Sequence, residues 1–143
     1  MRVVLDTNVL VSGLLSPHGN CGEIVRMVSA GKVIPCHDAR ILSEYKEVLR
    51  RPKFPFRKEE IVSLIDFIEH RTPATASSPL LKSLPDSKDE QFLEVARAGR
   101  AECLITGNLS HFPLKSRQGM TVLSPAEFRE FYRERRIADQ SGN

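Results

Sequence analysis

Cysteine is scarce in this chain: there are three in 143 residues, and Cys21, Cys36 and Cys103 stand far apart with no C-x-x-C pairing. An odd, scattered set argues against a disulfide framework and against a thiolate zinc site, and it suits reduced thiols in the cytosol, so a cytoplasmic location is expected. Long apolar runs are missing too. The richest stretches, Val9 to Leu15 and Ile61 to Ile68, fall far short of the roughly 20 residues that span a bilayer, so neither a membrane segment nor a secretory leader is expected. Nor does one charge dominate. A formal net charge of +3 and a pI near 8.9 do not by themselves demand a nucleic-acid partner. There is no internal repeat and no low-complexity segment. The length is that of one ordinary domain, which buries about 68–70% of its unfolded surface without needing staples.

What is present begins at the start of the chain. Val3-Val4-Leu5 stops on Asp6 and is followed by Thr7-Asn8 and another apolar run. An aliphatic run closed by a polar break suits a strand covered on both faces in a parallel sheet. Such sheets bind ligands beyond the carboxyl ends of their strands, which is where Asp6 then stands. Helical patterns follow over Val9 to Leu15, Cys21 to Ala30 closed by Gly31, Asp38 to a stop before Pro52, and about Lys58 to His70. Val33 to Cys36, Glu102 to Thr106 and Met120 to Leu123 read as further strands. The connection from Thr72 to Pro85 is rich in proline and serine, with at most a short strand near Ala74 to Ser77. Ser87 and Glu90 form a capping box for a helix ending at Gly99, and Pro125 opens a last helix with Phe128, Phe131 and Tyr132 on its apolar side. The alternation predicts an α/β fold, a three-layer α/β/α sandwich around a parallel sheet of four to five strands. Residues 1–132 form the expected single domain, and the charged tail 133–143 is expected to fray.

Several oxygens could meet in that fold. With about 100° per residue and Ile41 at zero, the apolar residues of the Asp38 helix span about −20° to 100°, and Glu44 falls at about −60°, on their margin. Glu47 points to solvent. Asp89 heads a buried stripe with Phe92, Leu93 and Ala96, at i, i+3, i+4 and i+7. Asn108 follows the strand expected beside the first. Taken singly, each has a plain structural reading: a rim glutamate beside a lysine, a first-turn acid favoured by the helix dipole by about 0.3–1 kcal/mol, a turn asparagine. Asp86 reads as a turn residue, or else as a second acid at the same rim. Taken together, a strand end, a helix margin and a helix start present oxygens to one crevice. Carboxylates about 4 Å apart repel by about 4 kcal/mol at an effective dielectric of 20. A raised pKa or a bound cation offsets that. Without a thiolate or a histidine pair, the donor set suits Mg²⁺ or Mn²⁺ better than zinc.

These residues fall in ordered motifs: Leu5-Asp6-Thr7-Asn8-Val9-Leu10; Ser43-Glu44-Tyr45 with Val48-Leu49; Asp86-Ser87-Lys88-Asp89 with Phe92-Leu93 and Ala96; and Ile105-Thr106-Gly107-Asn108 with His111-Phe112-Pro113. In them the chain, from Arg2 to about Phe131, resembles the PIN-domain nucleases, the family that includes the toxins of VapBC-type toxin–antitoxin pairs. The resemblance implies metal-dependent hydrolysis of RNA phosphodiesters, with Asp6, Glu44, Asp89 and Asn108 as the catalytic, metal-holding residues. It also implies a homodimer and an antitoxin partner bound over the active site. Thr7, Asn8 and Thr106 are expected to support the acids by hydrogen bonds. Asn108 departs from the aspartate of many relatives; it offers a carbonyl oxygen but no charge, which implies a weaker hold on a second ion.

One further cluster stands apart. Lys46, Arg50, Arg51, Lys53, Arg57 and Lys58, opposed only by Glu47 and interleaved with Phe54 and Phe56, read either as a solvated turn or as a basic arm on RNA phosphates. Rival functions for the chain are a haloacid-dehalogenase-type phosphatase, which needs a second acid where Asn8 stands, and a receiver-like domain, which needs an acidic pair at the first strand's end. A weakly active or non-catalytic PIN scaffold that grips RNA or a partner protein, and an RNA-processing nuclease without an antitoxin, are the closer alternatives.

Overall fold

Four aliphatic runs pair side by side in the computed structural model, which describes residues 1–141. They are β1 (Arg2–Leu5), β2 (Ile34–Pro35), β3 (Cys103–Ile105) and β4 (Val122–Leu123), all parallel, in the order β2-β1-β3-β4. Val3, Val4 and Leu5 and all three residues of β3 are inaccessible to solvent, as a sheet covered on both faces requires. The register sets Leu5 beside Ile105 and Ile105 beside Leu123. Asp6 and Thr106 therefore leave adjacent strands at the same edge. The chain runs outward from β1 in one direction to β2 and in the other to β3, so the gap between these two strand ends is the topological switch point of the sheet.

Helices cover both faces. α1 (Thr7–Leu15), α2 (Asn20–Ser29) and α6 (Pro125–Ser141) pack together on one side, while α3 (Ala39–Leu49), α4 (Lys58–Arg71) and α5 (Glu90–Ala98) form the other layer. This is the arrangement that right-handed crossovers dictate for the observed strand order, and it gives three layers, α/β/α. α1 and α2 approach closely because Gly13 has no side chain: a Cβ there would stand 2.8 Å from the Cys21 carbonyl oxygen. On the opposite layer, Asp38 caps α3 by accepting from the Ile41 N–H at 3.0 Å. Arg40 pairs with Asp38 at 2.7 Å and with the buried Glu94 at 2.8 Å, tying α3 to α5.

Three local expectations are corrected. Ser87 does not cap α5; Asp86 caps a single 3₁₀ turn, Ser87–Asp89, by accepting from the Lys88 N–H at 2.9 Å, and α5 starts one residue later. Glu90 instead accepts from the Leu84 N–H at 2.9 Å, holding the incoming loop. The capping box of this chain is at α6, where Ser124 and Glu127 exchange both hydrogen bonds. The connection after α4 forms no strand, only one parallel bridge between His37 and Ala74. The tail expected to fray from residue 133 stays helical to Ser141, and the end of that expectation, residues 142 and 143, lies outside the described residues. Its helix is supported by the Arg133–Glu130 pair, by Arg135 bonded to Glu102 at 3.3 Å, and by Arg135 and Arg136 lying over Phe131 and Tyr132.

Candidate active site

Asp6 ends β1 at 5% exposure, and its backbone N–H still completes the ladder by bonding the Ile105 carbonyl at 2.9 Å. Its Oδ2 accepts from the Thr106 hydroxyl at 2.8 Å and from Asn8 Nδ2 at 3.3 Å. Burial raises the Asp6 pKa, and the Thr106 hydroxyl and the Asn8 and Thr7 N–H groups of the α1 N-terminus work against that rise. α1 begins directly after Asp6, so Thr7 and Asn8 sit in its first turn and turn back toward the strand ends. Thr7 donates its hydroxyl to Glu44 Oε2. Asn8 Oδ1 accepts from the Gly107 N–H at 2.9 Å, lashing the end of β1 to the end of β3. A Cβ on Gly107 would stand 3.3 Å from that Oδ1, so a glycine keeps the approach free.

Glu44 comes from the middle of α3 and is half-buried, whereas Glu47 is exposed, as the wheel predicts. Its second oxygen accepts from Gln91 Nε2 at 3.1 Å, so donors from α1 and α5 hold it from two sides. Tyr45, fully buried, anchors the same helix by donating its hydroxyl to the Leu5 carbonyl. Burial raises the Glu44 pKa, and the charge of Asp6 adds to the rise. Asp89 lies in the turn before α5 and is half-buried. Desolvation and then the charge of Asp6 push its pKa up to about 6, with Asp86 and Glu44 adding to the rise and His111 opposing it. Asp89 Oδ2 is buried and makes no hydrogen bond among the described residues; His111 Nδ1 approaches it to 3.1 Å without hydrogen-bond geometry.

Asn108 follows β3 through Thr106 and Gly107. The Thr106 hydroxyl that donates to Asp6 also accepts from the Asn108 N–H at 3.0 Å, so one buried side chain positions both. The Asn108 amide is clamped at each end: Nδ2 donates to His111 Nε2 at 2.8 Å and Oδ1 accepts from Ser110 Oγ at 2.7 Å. Asn108 and His111 meet because a 3₁₀ turn, Leu109–His111, eclipses positions i and i+3. An imidazole that accepts at Nε2 carries its proton on Nδ1, facing Asp89.

The four expected oxygen donors thus gather at the switch point, together with Thr7, Asn8 and Thr106. Asp86 is exposed and serves its turn. Arg50, Arg51, Lys53, Arg57 and Lys58 are exposed at the turn between α3 and α4 and make no hydrogen bond or ion pair with the site residues among the described residues. Sequence reasoning assigned nothing to Gln91 or to His111. Gln91 carries no signal beyond its place on the margin of the α5 stripe, while the i, i+3 spacing of Asn108 and His111 is visible in the chain. Among the described residues, the one group of three acids or imidazoles whose donor atoms all lie within 4.8 Å of one another is Asp66, Glu69 and His70, at the surface of α4. Asp6, Glu44 and Asp89 do not close to that distance. Yet they form the fit for a cation: three carboxylates whose ionised forms are all disfavoured, first by burial and, for Glu44 and Asp89, also by the charge of Asp6, and an orphaned buried oxygen on Asp89.

A family model described as PIN domain matches residues 2–110, a span that contains Asp6, Glu44, Asp89 and Asn108 and stops just short of His111. The chain is also similar to the uncharacterized protein MJ1680 of Methanocaldococcus jannaschii, with 25% identity over 111 residues, covering 76% of this chain and 71% of that protein. No solved structure gives a significant match.

Proposed function

Because the chain belongs to the PIN domain family, whose members are generally nucleases that use divalent metals, we propose that it is a Mg²⁺- or Mn²⁺-dependent endoribonuclease and the toxin of a toxin–antitoxin pair. The observation that supports this best is the meeting of Asp6, Glu44 and Asp89 from three different elements, each half-buried or more and each with a raised pKa. Acids are seldom buried together without a task or a counter-charge.

In this reading Asp6, Glu44 and Asp89, with the Asn108 carbonyl oxygen, hold the metal. When bound, such an ion polarises a phosphoryl oxygen, favours the attacking water and neutralises the leaving oxygen. The rest falls to the chain. Thr106 and Asn8 fix the Asp6 carboxylate, and Thr7 with Gln91 fixes Glu44, so neither acid must reorganise when substrate arrives. His111 holds the Asn108 amide in one orientation and supplies the nearest imidazole to Asp89. The buried strand ends beneath them lower the local dielectric, which would strengthen the hold of the carboxylates on a cation.

Degradation of mixed RNA by purified protein, abolished by EDTA, restored by Mg²⁺ or Mn²⁺ and lost in Asp6→Asn, is the test; RNA cleavage that survives Asp6→Asn overturns the assignment. The toxin role, a homodimer and an antitoxin belong to the same proposal. They require growth arrest that depends on Asp6 and is relieved by a small companion protein. One observation favours a second reading, a weakly active scaffold or an RNA-processing nuclease: Asn108 brings no charge, and both ends of its amide are already bonded to protein.

A further inference from the structure

The turn between α3 and α4 holds the densest basic run of the chain, and the strand-end crevice makes no use of it. A cavity of about 360 Å³ opens there, lined by Leu49, Phe54, Phe56 and Ile61 and by the charged Arg50 and Lys58. The rings of Phe54 and Phe56 are stacked, with centroids 5.2 Å apart and planes 15° from parallel, and Lys53 Nζ lies 5.1 Å from the Phe54 centroid. Phe56 packs against the core but Phe54 does not. Arg51 is engaged with Glu47 at 2.9 Å, whereas Arg50, Lys53, Arg57 and Lys58 have no carboxylate partner among the described residues. An apolar pocket with a half-buried aromatic pair and a rim of cations that lack carboxylate partners is more than a solvated turn needs.

We propose that this cavity is a nucleobase subsite for single-stranded RNA, with one base lodged against the Phe54–Phe56 stack and the flanking phosphates held by Arg50 and Lys58. The inference rests on the RNA-cleaving reading of the crevice and adds a place outside it where one base of an unpaired strand is gripped, and the side chains that grip it. Aromatic faces accept any base, and a duplex offers none, because its bases already stack on one another. Cations without carboxylate partners neutralise phosphates rather than completing ion pairs within the protein. Leu49, which lines the pocket, follows Glu44 by five residues on the same helix, roughly 7 Å along its axis.

The test is fluorescence anisotropy of a labelled oligouridylate with the Asp6→Asn protein in EDTA, so that binding is read apart from cleavage. Phe54→Leu, which keeps the apolar bulk and the fold but removes the ring, should bind about tenfold more weakly, while duplex RNA binds it as it binds the parent. Arg50→Ala and Lys58→Ala should each flatten the salt dependence, by about 0.7 in the logarithmic slope. Oligouridylate binding unchanged in Phe54→Leu, or weakened equally for duplex, overturns the proposal. So does a drop in sedimenting mass on Phe54→Leu, which would make this face a seam between two copies. Polyglutamate binding that needs Phe54 when oligouridylate binding does not would assign it to an acidic protein and likewise overturn it. If wild-type protein fails to cleave RNA but the Phe54-dependent binding holds, the crevice reading falls and the subsite stands; cleavage with binding indifferent to Phe54 gives the reverse.

Discussion

Two clusters of ionisable side chains in this molecule make opposite use of closeness. On α4, Asp66, Glu69 and His70 bring their donor atoms within 4.8 Å of one another but lie at the surface, and Glu69 is spent on Lys46 at 3.4 Å. At the strand ends, Asp6, Glu44 and Asp89 stand further apart, yet they are sunk among fixed hydroxyl and amide donors that hold two of the three in place. The α4 group follows from the spacing of one helical surface, where residues three and four apart are neighbours whatever they do. The crevice group comes from three elements far apart in the chain and pays in desolvation for being together. Convergence under burial, more than proximity, marks a site built for chemistry.

The widest separation between the two groups should appear in cleavage. Asp6→Asn should lower RNA cleavage by more than about a hundredfold, beyond the 10–100-fold that supporting residues usually command, while Asp66→Asn should leave it within about twofold. Equal losses in initial-rate assays would erase the contrast. Thr106→Val comes next. It removes the one hydroxyl that serves both Asp6 and Asn108, and metal affinity measured by calorimetry should fall about 10–100-fold; loss of thermal stability with affinity intact would make Thr106 a folding residue only. A smaller effect, about three- to tenfold tighter metal binding, is expected from Asn108→Asp, since a charge is added where only a carbonyl stood; no change would show that the amide locked by Ser110 and His111 is not turned to the ion.

The smallest effect is on the stability of the metal-free protein. The Asp89 pKa is raised from about 3.8 to about 6 in the folded state, so the folded form retains a proton that the unfolded form has released. The stabilisation is full below about pH 3.8 and is lost as the pH rises through about 6. In EDTA, the melting temperature of wild type should therefore fall between about pH 4 and pH 7 by a few degrees more than that of Asp89→Asn. Parallel curves would remove Asp89 from the crevice energetics. Asp66→Asn should leave the curve unaltered.

Much of this arrangement could be read along the chain, and the parts that could not share a cause. The aliphatic run ending on Asp6, the marginal Glu44 and the stripe behind Asp89 are local patterns, and burial periodicity reports on them directly. The Ser87 cap failed because two overlapping cap signals, Asp86 and Ser87, compete within one turn, and the 3₁₀ geometry chose the first. The helix through the tail is not legible in the sequence because charge density looks the same on a frayed segment and on a helix held by paired side chains. Gln91 escaped notice since nothing in its neighbourhood distinguishes a glutamine facing solvent from one facing a carboxylate.

The sequence by itself determined the kinds of groups available, the strand that delivers Asp6, the faces that Glu44 and Asp89 occupy and the family they belong to. Only the tertiary structure decided who holds whom: Thr7 and Gln91 on Glu44 across 37 and 47 residues, and Thr106 on Asp6 across 100. The reason lies in the sheet. Periodicity tells a side chain whether it faces the core, but its partner there depends on which strands are neighbours. In this fold β1 lies between β2 and β3, so two strand ends 100 residues apart open on one crevice.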